Sequence, residues 1–173
     1  REYDIRIGAQ RYRTGSLLES LNPSKPGEVV GRFHRADSSL AEKAIQTADA
    51  FFGAWAATSW ESRIAMARKC ADLMRWRKFE FNAWLVLEAG KSWAEAEADT
   101  SEAIDFCSYY ALLAERLAHP EELVQMPGER NLLRYLPLGA GIIIPPWNFP
   151  LAILVGMTVA ALVSGNTVVV KPS

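Results

Sequence analysis

From Tyr135 to Val170 the chain runs for 36 residues without one charged side chain, and this stretch limits the available folds more than any other feature. Such a run invites a membrane span, which needs about 20 consecutive apolar residues. Pro145, Pro146 and Pro150 interrupt it, and Ser164-Gly165-Asn166 closes it, because proline cannot continue a helix and glycine commonly ends one. What remains helical is Leu151 to Val163, about 13 residues, the length of a core helix and too short for a span. On either side lies a β-branched run without alternation, Gly141-Ile142-Ile143-Ile144 and Thr167-Val168-Val169-Val170. Runs of that kind suit strands buried on both faces, so the stretch predicts one strand–helix–strand unit of a parallel sheet. Ligands of such sheets sit beyond the carboxyl ends of the strands. Here those ends carry Pro145 to Asn148 and Lys171-Pro172-Ser173.

Upstream, residues 3–36 alternate short β-type runs with turn residues such as Asn22-Pro23-Ser24-Lys25-Pro26-Gly27. They predict two or three antiparallel strands of a small arm, spanning residues 1–36. From Ser38 the apolar period becomes helical, and Ser/Thr-x-x-Glu boxes at Ser39–Glu42, Thr58–Glu61 and Ser92–Glu95 predict three helix starts. The first helix is expected over about Leu40 to Ala57, with Ala44, Ala48, Phe51, Phe52 and Trp55 inward. The second starts near Trp60, with Ile64, Met66, Ala67, Cys70, Ala71, Leu73 and Met74 inward. It breaks at Arg75-Trp76-Arg77-Lys78, a third helix ends at Gly90, and a fourth runs from about Trp93 to Leu117, before Pro120. Residues 37–120 thus read as a helical part, 121–136 as a hairpin turning at Pro127-Gly128, and 137–173 as the first βαβ of a sheet. The fold class is α/β.

With 173 residues, half of them hydrophobic, and a mean hydropathy of -0.02, the chain is one globular domain's worth of sequence. Its 19 basic and 20 acidic residues leave no basic excess to neutralise a phosphate backbone, so no nucleic-acid partner is expected. Cys70 and Cys107 have neither the number nor the spacing of a disulfide framework or a zinc site, which fits a reducing intracellular compartment. No initiator Met and no leader pattern open the chain, and a fragment is the expectation. Two phosphate motifs fail: Gly139-Ala140-Gly141 precedes its strand and meets Ile144 where a glycine is required, and Gly90-Lys91-Ser92 has Leu85 where a P-loop needs glycine. His34 and His119 are isolated. Glu95, Glu97, Asp99, Glu102 and Asp105 read as a solvated helix face, and no metal site is expected.

The candidate chemistry lies at the strand ends, where each residue reads two ways. Asn148, between prolines that restrict the backbone, either donates its carboxamide to a developing oxyanion or caps the helix beginning near Pro150. Lys171 either meets a ribose hydroxyl or phosphate or ends its strand in solvent. Trp147 and Phe149 line a passage or fill the core. Cys70 and Cys107 read as small apolar helix residues without an activating neighbour.

Three segments carry a resemblance: Gly141-Ile-Ile-Ile-Pro-Pro-Trp-Asn-Phe-Pro150, Gly165-Asn-Thr-Val-Val-Val-Lys-Pro-Ser173, and Glu88-Ala-Gly-Lys91 with its following helix. In them, and along essentially its whole length, the chain resembles the aldehyde dehydrogenase superfamily. Pro145-Pro146, the stretch Asn82 to Asp99 and Glu102-Ala-Ile-Asp-Phe106 are similar to its L-glutamate γ-semialdehyde (1-pyrroline-5-carboxylate) dehydrogenase branch. The resemblance implies the N-terminal part of a Rossmann-like NAD-binding domain with a β oligomerisation arm. It implies NAD as cofactor, a small aldehyde as substrate, and oxidation of the semialdehyde to glutamate in proline degradation.

By the same resemblance Asn148 helps hold the oxyanion of a thiohemiacetal, and Phe149 lines the aldehyde tunnel. Ile144, Pro145, Pro146 and Trp147 lie along the cofactor, Lys171 binds the adenosine ribose, and Ser173 is nearby. A homo-oligomer in the cytoplasm, or in the mitochondrial matrix of a eukaryote, is implied. The family's nucleophilic Cys and general-base Glu match no position of this chain, so residues 1–173 alone are expected to be inactive. An aldehyde dehydrogenase of other specificity and a non-catalytic helical interaction module remain as alternatives.

Overall fold

A computed structural model describes residues 1–119 and 122–173. The predicted boundary at residues 120 and 121 lies outside the described residues. Five short strands form the N-terminal arm: β1 (Glu2–Tyr3), β2 (Ile5–Ile7), β3 (Gln10–Tyr12), β4 (Leu17–Leu21) and β5 (Val29–His34). β2 and β3 make an antiparallel hairpin whose turn begins at Gly8, held at φ 57°, a conformation glycine adopts without a Cβ penalty. β4 runs antiparallel to β5, but β1 joins the other edge of β5 in parallel, contrary to the all-antiparallel arm expected. The register sets Tyr3 opposite Phe33, and the two rings stack at 4.9 Å, a cross-strand pair that favours this arrangement. The run Tyr3 to Ile7 therefore splits at Asp4 between two sheets.

Four helices follow: α1 (Ser38–Ala56), α2 (Trp60–Trp76), α3 (Lys78–Ala89) and α4 (Trp93–Ala118). The break between α2 and α3 falls inside the basic knot, and Gly90 ends α3 in the left-handed conformation at φ 68°. At the first two helix starts the structure moves the cap. Asp37, not Ser39, accepts from the Leu40 N–H, and Ser59, not Thr58, accepts from the Ser62 N–H. In each case the oxygen sits three residues before the donor it satisfies, the reach a capping side chain requires. Thr58 instead turns its hydroxyl back to the Ala54 carbonyl. Ser92 and Glu95 form the full reciprocal box.

The core lies where α2, α4 and a fifth helix, α5 (Ala152–Val163), meet. Ile64, Ala67, Ala71 and Met74 of α2 face Ala103, Ile104, Cys107 and Ala111 of α4, and Ala152, Val159 and Val163 close the third side. The alanines let the helix axes approach closely. Met66 and Leu73 fall off the 3.6-residue row and are exposed, as is Phe51 of α1.

The βαβ unit is present: β6 (Ala140–Ile143) and β7 (Thr167–Val170) pair in parallel and α5 connects them. α1 and α5 both pack against the pair. Within residues 1–173 these strands are not covered on both faces, since Ile142 is 54% and Val170 38% exposed. Residues 122–136 turn at Pro127-Gly128 but form no β ladder among the described residues. The Gln125 side chain substitutes for the ladder, accepting from the Asn131 N–H and donating to the carbonyls of Leu123 and Asn131. Among the described residues no helix is long and apolar enough to cross a membrane.

Candidate functional site

The parallel register aligns Ile143 with Val170, and the Lys171 N–H continues the ladder to the Ile143 carbonyl at 2.9 Å. Ile144 and Lys171 therefore leave the sheet side by side, at the carboxyl edge where ligands of such sheets bind. The opposite edge is tied down. Thr167 donates its buried hydroxyl to the Ala48 carbonyl of α1 at 2.8 Å. Asn166 accepts from the Leu138 and Gly139 N–H groups at 2.6 and 3.1 Å while donating to the Ala161 carbonyl. One side chain thus joins the entry of β6 to the end of α5, a role the sequence reading did not assign to it.

At the carboxyl edge Pro145 is buried, and Pro146, Trp147, Asn148 and Phe149 are exposed, Trp147 by 77%. Within residues 1–173 Trp147 fills no core. Asn148 does not cap α5: Leu151 occupies the cap position, with no side-chain cap of its own. Lys171, Pro172 and Ser173 are exposed beside the turn.

The cap of α5 comes instead from another helix. Asp99 of α4 accepts from the Ala152 N–H at 2.7 Å through Oδ1, and from Lys91 Nζ at 2.7 Å through Oδ2. Its side chain is wholly buried and that of Lys91 is 12% exposed. Lys91 Nζ also lies 4.3 Å from the centroid of the Phe149 ring. A solvated acidic face on α4 is thus wrong at Asp99. It is partly wrong at Glu97, whose carboxylate accepts from Lys78 and Asn82 and is held below the ordinary range by those bonds. The signal was in the spacing: Asp99, Ala103, Cys107 and Ala111 form one row at intervals of four, the buried row of the helix.

The other end of α5 meets positive charge. Arg63 Nε donates to the Val163 carbonyl at 3.0 Å and Trp55 Nε1 to the Leu162 carbonyl at 3.1 Å. A carboxylate at the N-terminus and a guanidinium at the C-terminus both complement the helix dipole. Burial of Arg63 pulls its pKa down.

Cys70 of α2 and Cys107 of α4 sit in the helical core as free thiols and belong to no part of this edge. Each is the neighbour the sequence did not reveal for the other: Cys107 beside it holds the Cys70 thiol below the ordinary range, while Cys107 itself is pushed up by Cys70 and by burial. His34 is held in the arm by Glu2 and Thr14, and His119 packs edge-on against Trp60.

Comparison with known proteins agrees with this architecture. The profile of the Aldehyde dehydrogenase family matches residues 11–173. A protein of Geobacillus thermodenitrificans named 1-pyrroline-5-carboxylate dehydrogenase is 50% identical over 173 residues, all of this chain and 34% of that protein. Among solved structures, 1-pyrroline-5-carboxylate dehydrogenase from Thermus with bound NAD superposes with a TM-score of 0.96 at 48% identity. That match covers 100% of this chain and 34% of the other. Proline utilization A from Bdellovibrio bacteriovorus, inactivated by N-propargylglycine, gives 0.97 at 42% identity, covering 99% of this chain and 18% of that one. The chain spans about a third of the length of the curated relatives it matches.

Proposed function

The chain belongs to the aldehyde dehydrogenase family, and from that premise we propose that it serves the NAD-dependent oxidation of L-glutamate γ-semialdehyde to L-glutamate, a step of proline degradation. The observation that carries the reading is the convergence at one edge of the parallel β6–β7 pair. The turn bearing Asn148 and the strand end bearing Lys171 emerge there together, linked by the Lys171 N–H to the Ile143 carbonyl. The identity to 1-pyrroline-5-carboxylate dehydrogenases along the whole chain supports that substrate over other aldehydes.

The chemistry of the edge fits a dinucleotide. Ile144, Pro146 and Trp147 offer an exposed, uncharged apolar shelf on which a flat ring system can lie, with Pro145 buried beneath it. Lys171 and Ser173 offer exposed donors to ribose hydroxyls. NAD, when bound, supplies the hydride acceptor. Asn148, whose carboxamide is not used as a helix cap, donates an N–H to the oxyanion that forms when a thiolate adds to the aldehyde. Phe149 lines the aldehyde's approach. That thiolate comes from neither Cys70 nor Cys107, both of which sit in the α2–α4 core, so residues 1–173 by themselves are inactive.

We further read residues 1–36 and 121–136 as an oligomerisation arm, 37–120 as the helical part of the NAD-binding domain and 137–173 as its first βαβ, in a cytoplasmic homo-oligomer, or a mitochondrial one in a eukaryote. Support for the arm is the exposure of Leu132, by 58%, and of Leu136, by 78%.

The test is NADH formation from glutamate semialdehyde by the complete natural polypeptide that carries this chain. Asn148→Ala is expected to lower kcat by about 100-fold or more, as loss of one oxyanion donor does, with NAD binding unchanged. Lys171→Ala is expected to raise the KM for NAD while leaving kcat at saturation. Robust turnover by residues 1–173 alone, or an Asn148→Ala variant with full kcat, sinks the assignment.

A further inference from the structure

One lysine has no part in the reaction just described. The Glu88-Ala89-Gly90-Lys91 segment is a junction: Glu88 accepts from the Ser20 hydroxyl of the arm at 2.8 Å, and Gly90 turns at φ 68° with Pro23 so close that a Cβ would meet its Cγ at 2.9 Å. Lys91 therefore leaves α3 from a fixed point. Its ammonium contacts both Asp99, at 2.7 Å, and the face of Phe149, at 4.3 Å. Asp99 in turn holds the Ala152 N–H. Phe149 and Ala152 bracket the place where the turn becomes α5, and Asn148 directly precedes Phe149.

We propose that Lys91 is a positioning residue for the oxyanion step, resting on the role given above to Asn148: one part-buried ammonium holds Phe149 directly and Ala152 through Asp99, and so fixes the turn that presents Asn148. Asn148 is exposed and its side chain makes no hydrogen bond among the described residues, so its direction follows its backbone. A displacement of about 1 Å in such a group costs about 100-fold in rate. The ion pair ends on a wholly buried carboxylate, which strengthens it relative to a surface pair, and the contact with the Phe149 ring adds to it at a more exposed position.

The test uses Lys91→Met and Lys91→Arg in the complete natural polypeptide, read by amide hydrogen exchange over residues 147–153 and by steady-state kinetics. Lys91→Met is expected to speed exchange there by about tenfold or more, the signature of local opening. It should also lower kcat for the aldehyde by about tenfold or more while the KM for NAD stays within about twofold. Lys91→Arg, which keeps the charge, should recover most of both. Should Lys91→Met not fold, Lys91→Gln still donates to Asp99 but carries no charge over Phe149, and is read in the same way.

Unchanged exchange at 147–153 with a lowered melting temperature would make Lys91 a general stabiliser and overturn the proposal. Faster exchange with full kcat overturns it equally. Wild-type protein without semialdehyde activity instead refutes the reading of Asn148, and the exchange contrast still decides whether Lys91 holds the turn.

Discussion

The α2–α4–α5 core and the carboxyl edge of β6–β7 are both apolar in sequence, yet they end in opposite states. In the core, small residues interlock and every named contact is internal: Ala71, Ala103, Cys107 and Ala111 are at most 1% exposed. At the edge, Ile144 and Trp147 are exposed by 62% and 77%, and the turn is held from outside by Asp99 and Lys91. The difference teaches that apolar character does not by itself place a residue in a core. Helical residues are buried by neighbours at i±3 and i±4, whereas a turn between prolines has no such neighbours and keeps its shape through tethers.

The sharpest way to break this comparison is to cut the tether and the presented group separately. Asp99→Ala leaves the Ala152 N–H and the Lys91 ammonium without their buried partner, and is expected to cost about 3 kcal/mol in urea unfolding. Asn148→Ala, at an exposed position with no cap to lose, should stay within about 0.5 kcal/mol of wild type. Equal losses from the two would mean that the edge is core after all.

Next in size is the contact that lets α5 approach α4. A Cβ on Gly156 would lie 2.8 Å from Cδ2 of Phe106, whose ring stacks on Tyr110. Gly156→Ala is therefore expected to cost about 1–3 kcal/mol through overpacking, despite alanine's better helix propensity. Adding Phe106→Leu should return part of that loss, which a thermal-unfolding double-mutant cycle measures. A stabilised Gly156→Ala would show that the helices are not in contact there.

The cysteine pair sharpens the core side of the comparison. The folded pKa of Cys70 lies below its unfolded value, so its contribution to stability is present above the unfolded pKa and is lost as pH falls through the folded pKa. Cys107 is shifted upward, so its contribution is present below its unfolded pKa and lost as pH rises. The two oppose each other in alkaline stability, and reactivity is the cleaner readout. Iodoacetamide at pH 7 should modify Cys70 faster than an unperturbed thiol of equal exposure, and Cys107→Ala should slow that reaction by about tenfold. An unchanged rate would mean that the thiols do not share a proton.

Much of this was legible in the chain. The βαβ unit could be read because prolines and glycines punctuate two β-branched runs, and those signals act locally. Helices α2 to α4 were legible for the same reason, through the basic knot, Gly90 and the Ser92–Glu95 box. The parallel β1 was not, because a parallel pairing between residues about 30 positions apart is set by tertiary contact, here Tyr3 on Phe33. Nor was the cap of α5, because a carboxylate 53 residues away supplies it. Asn166 was read only as part of a closing turn, since its carboxamide acts on Leu138 and Gly139 across the whole unit.

The smallest effect concerns the cap of α2, where sequence and structure disagree by one residue. At the start of α2 both Thr58 and Ser59 are good capping types, and Thr58 has the Glu three positions later that completes a box. The structure nonetheless gives the Ser62 N–H to Ser59, because Thr58 is occupied: its hydroxyl donates to Ala54 at the end of α1, and its carbonyl accepts from Arg63. The short link between α1 and α2 thus divides its two hydroxyls, one closing the old helix and one opening the new. Ser59→Ala should then cost about 1 kcal/mol, and Thr58→Ala should stay within about 0.5 kcal/mol, since its exposed hydroxyl leaves no buried donor behind. Thermal unfolding of the two variants side by side decides it. If Thr58→Ala proved the costlier, the box legible in the sequence would be the true start of α2, and even this local signal would have outweighed the packing of Arg63 beneath it.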